Sequence, residues 1–267
     1  MKQIALISLF ILALAVFSAS ARTVVIGPET SRIEAFRYGG TAAPDTLRIL
    51  PRGDAPLEVE EYAFWEGRAL RAIEFPPECR VHIREGAFRG CGGLRKIILP
   101  AECVLDGQYI FSDCFSLEEI LLPESLTVIP PHTFSYCISL KSILFPKGLK
   151  RIGNNAFSEC RALGEVWIPD SVTELESYAF SECIELREAR LPANGAMLGE
   201  LLFSGCRNLK VLIEPSPEVP TLDCDSFLFE PDEANLYRSC CLKVLPEAMG
   251  GYRHAHAWSR FKTITSL

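Results

Sequence analysis

Apolar and polar positions recur along this chain with a single period. From about Leu70 to Phe203 the unit reads Leu-x-x-Ile-x-(Leu/Phe)-Pro, then a variable stretch with a second apolar pair, then (Ala/x)-Phe-x-x-Cys-x-x-Leu. Phenylalanine stands at Phe88, Phe111, Phe134, Phe157, Phe180 and Phe203, each 23 residues after the last, and Phe64 precedes the series by 24. A cysteine follows each of these six at the third position (Cys91, Cys114, Cys137, Cys160, Cys183, Cys206), and a proline closes each apolar run (Pro100, Pro123, Pro146, Pro169, Pro192, Pro215). Several residue types locked to one period of this size predict stacked supersecondary units, in the leucine-rich-repeat range.

The stretch from Leu140 to Cys160 shows the elements each unit predicts. Ile143 and Phe145 alternate with Ser142 and Leu144, the period of a strand with one buried face. Pro146 has no N–H to give to a ladder and ends the strand. Leu149 and Ile152, three apart, mark a return segment, and Asn154-Asn155 turn the chain before Ala156-Phe157 re-enters the interior. One coil cannot bury its apolar side alone, so the coils stack. The pattern predicts a repeat solenoid: a leucine-rich-repeat right-handed coil of about seven turns, with a parallel β-sheet on one face, irregular or short-strand returns and end caps. It divides the chain into a signal peptide at 1–21, an N-terminal cap and degenerate first coil at 22–68, repeats of 23–24 residues at 69–214 and a C-terminal cap at 215–267.

Strand alternation also assigns faces. If Ile97, Ile120, Ile143 and Val166 point inward with Leu99, Leu122, Phe145 and Ile168, the row between them points out: Glu74, Ile98, Leu121, Leu144, Trp167, Arg190, Ile213. Four successive large apolar side chains on an outward face predict an interaction surface, with Trp167 as its anchor. The neighbouring row, Lys96, Glu119, Ser142, Glu165 and Glu188, forms a mixed charged border. The alternative is that the C-terminal tail or a neighbouring subunit covers the stripe.

Composition narrows the class. Hydrophobic residues make up 48% of the chain, ample for a continuous core, and the net charge of −7 comes from interspersed acids and bases. Nucleic-acid binding rests on clustered Lys and Arg, and no basic block exists here. Lys2, the apolar run Ile4 to Phe17 and the small residues Ala19-Ser20-Ala21 read as an export signal cleaved before Arg22. That run is shorter than the ~20 residues of a spanning helix, so no stable membrane span is expected after cleavage.

The repeated pattern resembles the BspA-type, or Treponema pallidum type, leucine-rich repeat, whose consensus is similar to Leu-x-x-Ile-x-Leu-Pro-x-x-Leu-x-x-Ile-Gly-x-x-Ala-Phe-x-x-Cys-x-x-Leu. The tail is similar to that family's C-terminal ending, with Leu245-Pro246, Tyr252, Trp258, Phe261 and Ile264 as counterparts. The resemblance implies a bacterial surface or secreted protein that adheres to host proteins or other cells.

The cysteines and histidines offer other chemistries. Eleven cysteines in an exported chain invite a disulfide framework, but six share one coil position, so they stack about 4.8 Å apart with parallel side chains. That orientation disfavours bonding, and free buried thiols are expected. Cys79 and Cys103 sit where later repeats carry Leu126, Leu149 and Val172, and are core fillers; Cys224, Cys240 and Cys241 lie outside the period and are the better disulfide candidates. No Cys-x-x-Cys pair converges on zinc, and His254 and His256 alternate in the tail without a third ligand. With no phosphate loop, nucleophile elbow or HExxH motif, no catalytic, cofactor or metal residue is assigned. Two function classes remain. One is an exported protein-binding module, adhesive or interaction-related, using Ile98, Leu121, Leu144, Trp167, Glu165 and Arg190. The other is a structural or self-associating envelope component, a homodimer through the same stripe.

Overall fold

The structure is a computed structural model that describes residues 22–220, 222, 228–230 and 234–267. The export signal read over 1–21 and Cys224 lie outside the described residues. Short strands form where β-branched residues alternate with polar ones and stop at the proline: Lys96–Ile98, Glu119–Leu121, Glu165–Trp167, Glu188–Arg190 and Val211–Glu214. Thr23–Ile26, Thr46–Ile49 and Ala72–Glu74 precede them, and Cys241–Val244 and Thr263–Ser266 follow. All pair in parallel. These ten front strands make a solenoid of about ten turns, where the repeat motif alone predicts about seven. The extra rungs come from segments at both ends that keep the strand but lose the Phe-Cys-Leu register.

The return side is built in two styles, and the sequence dictates which. Where inward residues lie two apart, as in Val81 and Ile83 or Cys103 and Leu105, the returns are five-residue strands, Arg80–Arg84 and Glu102–Asp106, laddered with Leu57–Val59 and Arg32–Ile33. Where they lie three apart, as in Leu149 and Ile152, a turn leaves only two-residue strands, Val128–Ile129, Arg151–Ile152 and Glu174–Leu175; Met197–Leu198 continues their ladder although its inward residues, Ala196 and Leu198, lie two apart. Gly107 sits at the change of style. Its φ of +128° and the 2.6 Å from an ideal Cβ to the Glu85 backbone leave room for glycine alone.

The interior is a set of columns running along the axis. Phe64, Phe88, Phe111, Phe134, Phe157, Phe180 and Phe203 are fully buried, and their rings stack in offset parallel pairs with centroids 5.0–5.9 Å apart. The six period cysteines are buried beside them. Each Sγ donates to the carbonyl oxygen of a Phe one coil back, as in Cys114 to Phe88, Cys137 to Phe111 and Cys160 to Phe134, all at 3.3 Å. Burial pushes these thiols well above their ordinary range, which keeps the S–H available as a donor. Cys79 and Cys103 are also buried in the core.

The corner that carries Phe and Cys is the most continuous part of the coil. In each unit the residues two before and two after the Phe are left-handed: Tyr62 and Glu66, Gly86 and Gly90, Tyr109 and Asp113, His132 and Tyr136, Asn155 and Glu159, Tyr178 and Glu182. Reversing φ at alternate residues turns three N–H groups along the axis, so every corner donates three backbone hydrogen bonds to the next coil. Around Phe134 they run from His132 to Asn154, Phe134 to Ala156 and Tyr136 to Ser158, each 2.8 Å. The triplet repeats without a gap from Tyr62 to Ser204.

The front sheet is not continuous. It divides into strands 23–74, strands 96–121 and strands 165–266, and Ser142–Leu144 forms no strand, contrary to the expectation of one at every Leu-x-x-Ile-x-Leu-Pro segment. Both interruptions fall beside a coil with phenylalanine before the proline, Phe75 and Phe145, where other coils carry Leu99, Leu122, Ile168 or Leu191. The larger ring needs more depth, and Phe145 stands edge-on to Phe157 with centroids 5.6 Å apart. At this rung only the starting residues stay in reach, with Lys141 N–H to Glu118 O at 3.5 Å and Gly164 N–H to Lys141 O at 3.2 Å.

Candidate functional site

Alternation in the front strands turns one row outward, and the structure places the sequence-selected residues on it. Ile98 is 51% exposed, Leu121 52%, Leu144 78% and Trp167 52%, while Ile97, Ile120, Ile143 and Val166 between them are buried. Ile98 and Leu121 are register partners in one sheet segment, Leu144 rides on the unladdered rung, and Trp167 begins the next segment. The four therefore stand on consecutive coils as one apolar line.

The border of this line is asymmetric. At the N-terminal end Lys96 and Glu119 neutralise each other at 2.7 Å, as do Lys141 and Glu118 in the adjoining row. At the C-terminal end Glu165 and Glu188 are direct register partners, and among the described residues neither has an ion-pair partner. Glu165 Oε2 accepts a 3.0 Å hydrogen bond from Trp167 Nε1, which fixes the indole plane. Like charges facing each other across a ladder are destabilising, so this pair leaves an unmet demand for a cation beside the ring. Arg190 does not meet it: the guanidinium is turned to Asp170 at 3.0 Å and to the Ile168 carbonyl at 3.3 Å. Arg190 stands next to Trp167 in the ladder, but its charge is already paired.

A second exposed group was not singled out by the sequence pattern. Phe115, Tyr136 and Ile138 are exposed at the corner leading into the front strands. Phe115 and Ile138 each follow a period cysteine directly, a place that Gly92 and Arg161 take in other coils. Reading that variable column by coil number exposes the cluster. On the return side a hollow of about 680 Å³ includes Arg80, His82 and Glu102. Arg80 there pairs with Glu102 at 2.9 Å, and His82 Nδ1 lies 3.0 Å from Glu58.

The remaining candidates have structural places. His132 stacks on Tyr109 with ring centroids 4.4 Å apart, and burial first, then Arg89, lowers its pKa. His254 Nδ1 lies 2.7 Å from the Gly250 carbonyl of its own helix, Met249–His254. Cys240 is buried, which pushes its thiol up to about 12, and Cys241 is half-buried. No group of three or more His, Cys, Asp or Glu among the described residues is arranged to hold a metal ion. No helix among them is long and apolar enough to cross a membrane.

Comparison with known proteins agrees with this architecture. The BspA type Leucine rich repeat region matches in six copies, over residues 57–186 and 127–229. The leucine-rich repeat protein of T. pallidum is 34% identical, with 69% of this chain and 82% of that one covered and a TM-score of 0.52. A leucine-rich repeat protein from Bacteroides ovatus ATCC 8483 is 23% identical over 92% of this chain and 71% of its own, with a TM-score of 0.49. The pneumococcal vaccine antigen PcpA is 17% identical over 92% and 79%, with a TM-score of 0.44. Among curated proteins no match is found.

Proposed function

The chain belongs to the BspA-type leucine-rich-repeat family, and from that premise we propose that it is an exported protein-binding module whose partner docks on the outward sheet face. Proteins of this family are generally interaction modules. The observation that carries the reading is the line Ile98, Leu121, Leu144 and Trp167, four large apolar side chains about half exposed or more on consecutive coils. A soluble surface rarely keeps such a contiguous patch without an interaction that uses it. In the same reading residues 1–21 direct export, residues 69–214 present the surface, and 22–68 and 215–267 cap the two ends of the array.

The border suggests the partner's chemistry. Apolar side chains lie along the three rungs from Ile98 to Leu144, and a lysine or arginine of the partner sits between Glu165 and Glu188 against the indole of Trp167. There it answers the unpaired carboxylates and the ring face together. Adhesion to a host or envelope protein is the form this binding takes.

Binding of a panel of purified extracellular proteins to the immobilised parent and to Trp167→Ala tests the proposal. Truncating a central aromatic anchor costs about 2 kcal/mol or more, so the variant is expected to bind at least about 30-fold more weakly. Equal binding by both proteins removes the stripe from the interface. Light scattering of the two proteins addresses the self-associating alternative: a stable dimer that Trp167→Ala dissociates makes a second copy the occupant.

A further inference from the structure

Glu214 occupies a core position. The residue immediately before the proline points inward in every regular coil, and it is Leu99, Leu122, Phe145, Ile168 or Leu191 until the last, where it is Glu214 before Pro215. The side chain is fully buried. Its Oε1 accepts the Ser216 N–H at 2.9 Å, and among the described residues its Oε2 has no hydrogen-bond partner. An ionised carboxylate in that place lacks the partners that burial of a charge requires.

We propose that Glu214 is a protonation latch: it holds the C-terminal cap against the last coil while its carboxyl carries a proton, and releases the cap when the proton leaves. The position couples directly to the cap. Strand Val211–Glu214 is the rung on which Cys241–Val244 stacks, with Glu214 opposite Val244, and Thr263–Ser266 stacks on that in turn. The helix Met249–His254 brings Tyr252 over the carboxyl, and the Tyr252 hydroxyl gives its one proton to the Glu218 carbonyl at 3.3 Å.

The groups facing Glu214 from each packed element do not neutralise it. The preceding rung offers Arg190, already held by Asp170. The following rung offers Val244 in register, with Lys243 opposite the outward Ile213. The loop after the strand offers the Ser216 N–H, and the helix sets beside it the Tyr252 hydroxyl, whose proton goes to the Glu218 carbonyl. Desolvation outweighs these contacts and raises the carboxyl from the ordinary glutamate range to about 7. An acid whose pKa is higher folded than unfolded contributes its full stability below the unfolded value near 4.5 and loses it as pH climbs through the folded value. The pH window of release is therefore about 5 to 7, with loosening toward the alkaline side.

Hydrogen exchange of the full chain at pH 5, 6, 7 and 8, read at Cys241–Val244 and Met249–His254, tests the latch against Glu214→Gln, which keeps the shape but does not ionise. Taking the ratio of the two proteins at each pH cancels the intrinsic pH dependence of exchange. The ratio is expected to lie within about fivefold of unity at pH 5, to rise by up to about tenfold per pH unit toward pH 7 and to level off by pH 8. The corner amides of Phe134 and Phe157 are expected to show no such rise. A ratio that stays within twofold throughout, or one that rises equally at the corner, overturns the proposal. Glu214→Leu, which restores the residue type of the column, supplies the same comparison if the glutamine variant does not fold.

Discussion

Between Tyr62 and Ser204 the corner ties every coil to the next with three backbone hydrogen bonds, while the front face of the same coils is interrupted beside Phe75 and again at Phe145. The difference lies in what each region has to do. The corner holds the Phe stack, the thiol-to-carbonyl bonds and a column of buried serines, with Ser135 to Ser112 at 3.0 Å and Ser181 to Ser158 at 2.8 Å. It closes its buried polar groups internally, and the exposed side chains of Phe115, Tyr136 and Ile138 gather where it leads into the front strands. The front face leaves a rung unladdered and sets its most exposed apolar residue, Leu144, on that rung. Stability is concentrated in one column of the coil and the proposed docking surface lies on another, so each is open to change without the other.

Phe134→Ala strikes the corner at its centre and has the largest expected effect. It removes one ring from between Phe111 and Phe157, and such a core truncation costs about 3–5 kcal/mol. Urea unfolding measures it, and a loss below about 1 kcal/mol breaks the comparison.

Cys137→Ala removes a buried sulfur and the bond to the Phe111 carbonyl, for an expected loss of about 1–2 kcal/mol in the same urea experiment. Thiol labelling sharpens the same point. Half-buried Cys241 is expected to react in the native protein, and the six corner thiols only as it unfolds. Native-state labelling of Cys137 or Cys160 contradicts a closed corner.

Much of this division was legible in the sequence. The 23-residue register placed Phe and Cys in interior columns, and strand alternation placed Ile98, Leu121, Leu144 and Trp167 outside. The left-handed corner was not legible, because Tyr62, Tyr109, His132, Asn155, Tyr178 and Leu201 share a backbone conformation that most of these residue types do not favour. Asn155 and the glycines at 86, 90 and 205 hint at it, being residue types that adopt positive φ easily. The tail rungs Cys241–Val244 and Thr263–Ser266 escaped because they keep a strand's alternation without the corner motif that marks a coil. Glu214 was visible as an acid in an apolar column, and the signal is read by aligning coils at the proline.

Phe145→Leu gives the interrupted rung the side chain of its neighbours. It is expected to add front-ladder protection to amides 142–145 in hydrogen exchange, with overall stability changing by less than about 1.5 kcal/mol, as for hydrophobic swaps that repack. Unchanged exchange at these amides removes ring size as the cause of the gap. Trp167→Ala has the smallest expected effect on the fold, within about 0.5 kcal/mol in thermal or urea unfolding, as for surface substitutions away from structural features. A loss of several kcal/mol makes Trp167 part of the core and cancels the surface built around it.

Native-state hydrogen exchange of the unmodified protein tests the central claim most directly, by comparing the amides of Phe111, Phe134 and Phe157 with those of Leu122, Leu144 and Phe145. The account predicts that the corner amides exchange only through global unfolding while the front amides open locally, with protection lower by at least about tenfold. Equal protection along the two columns contradicts it.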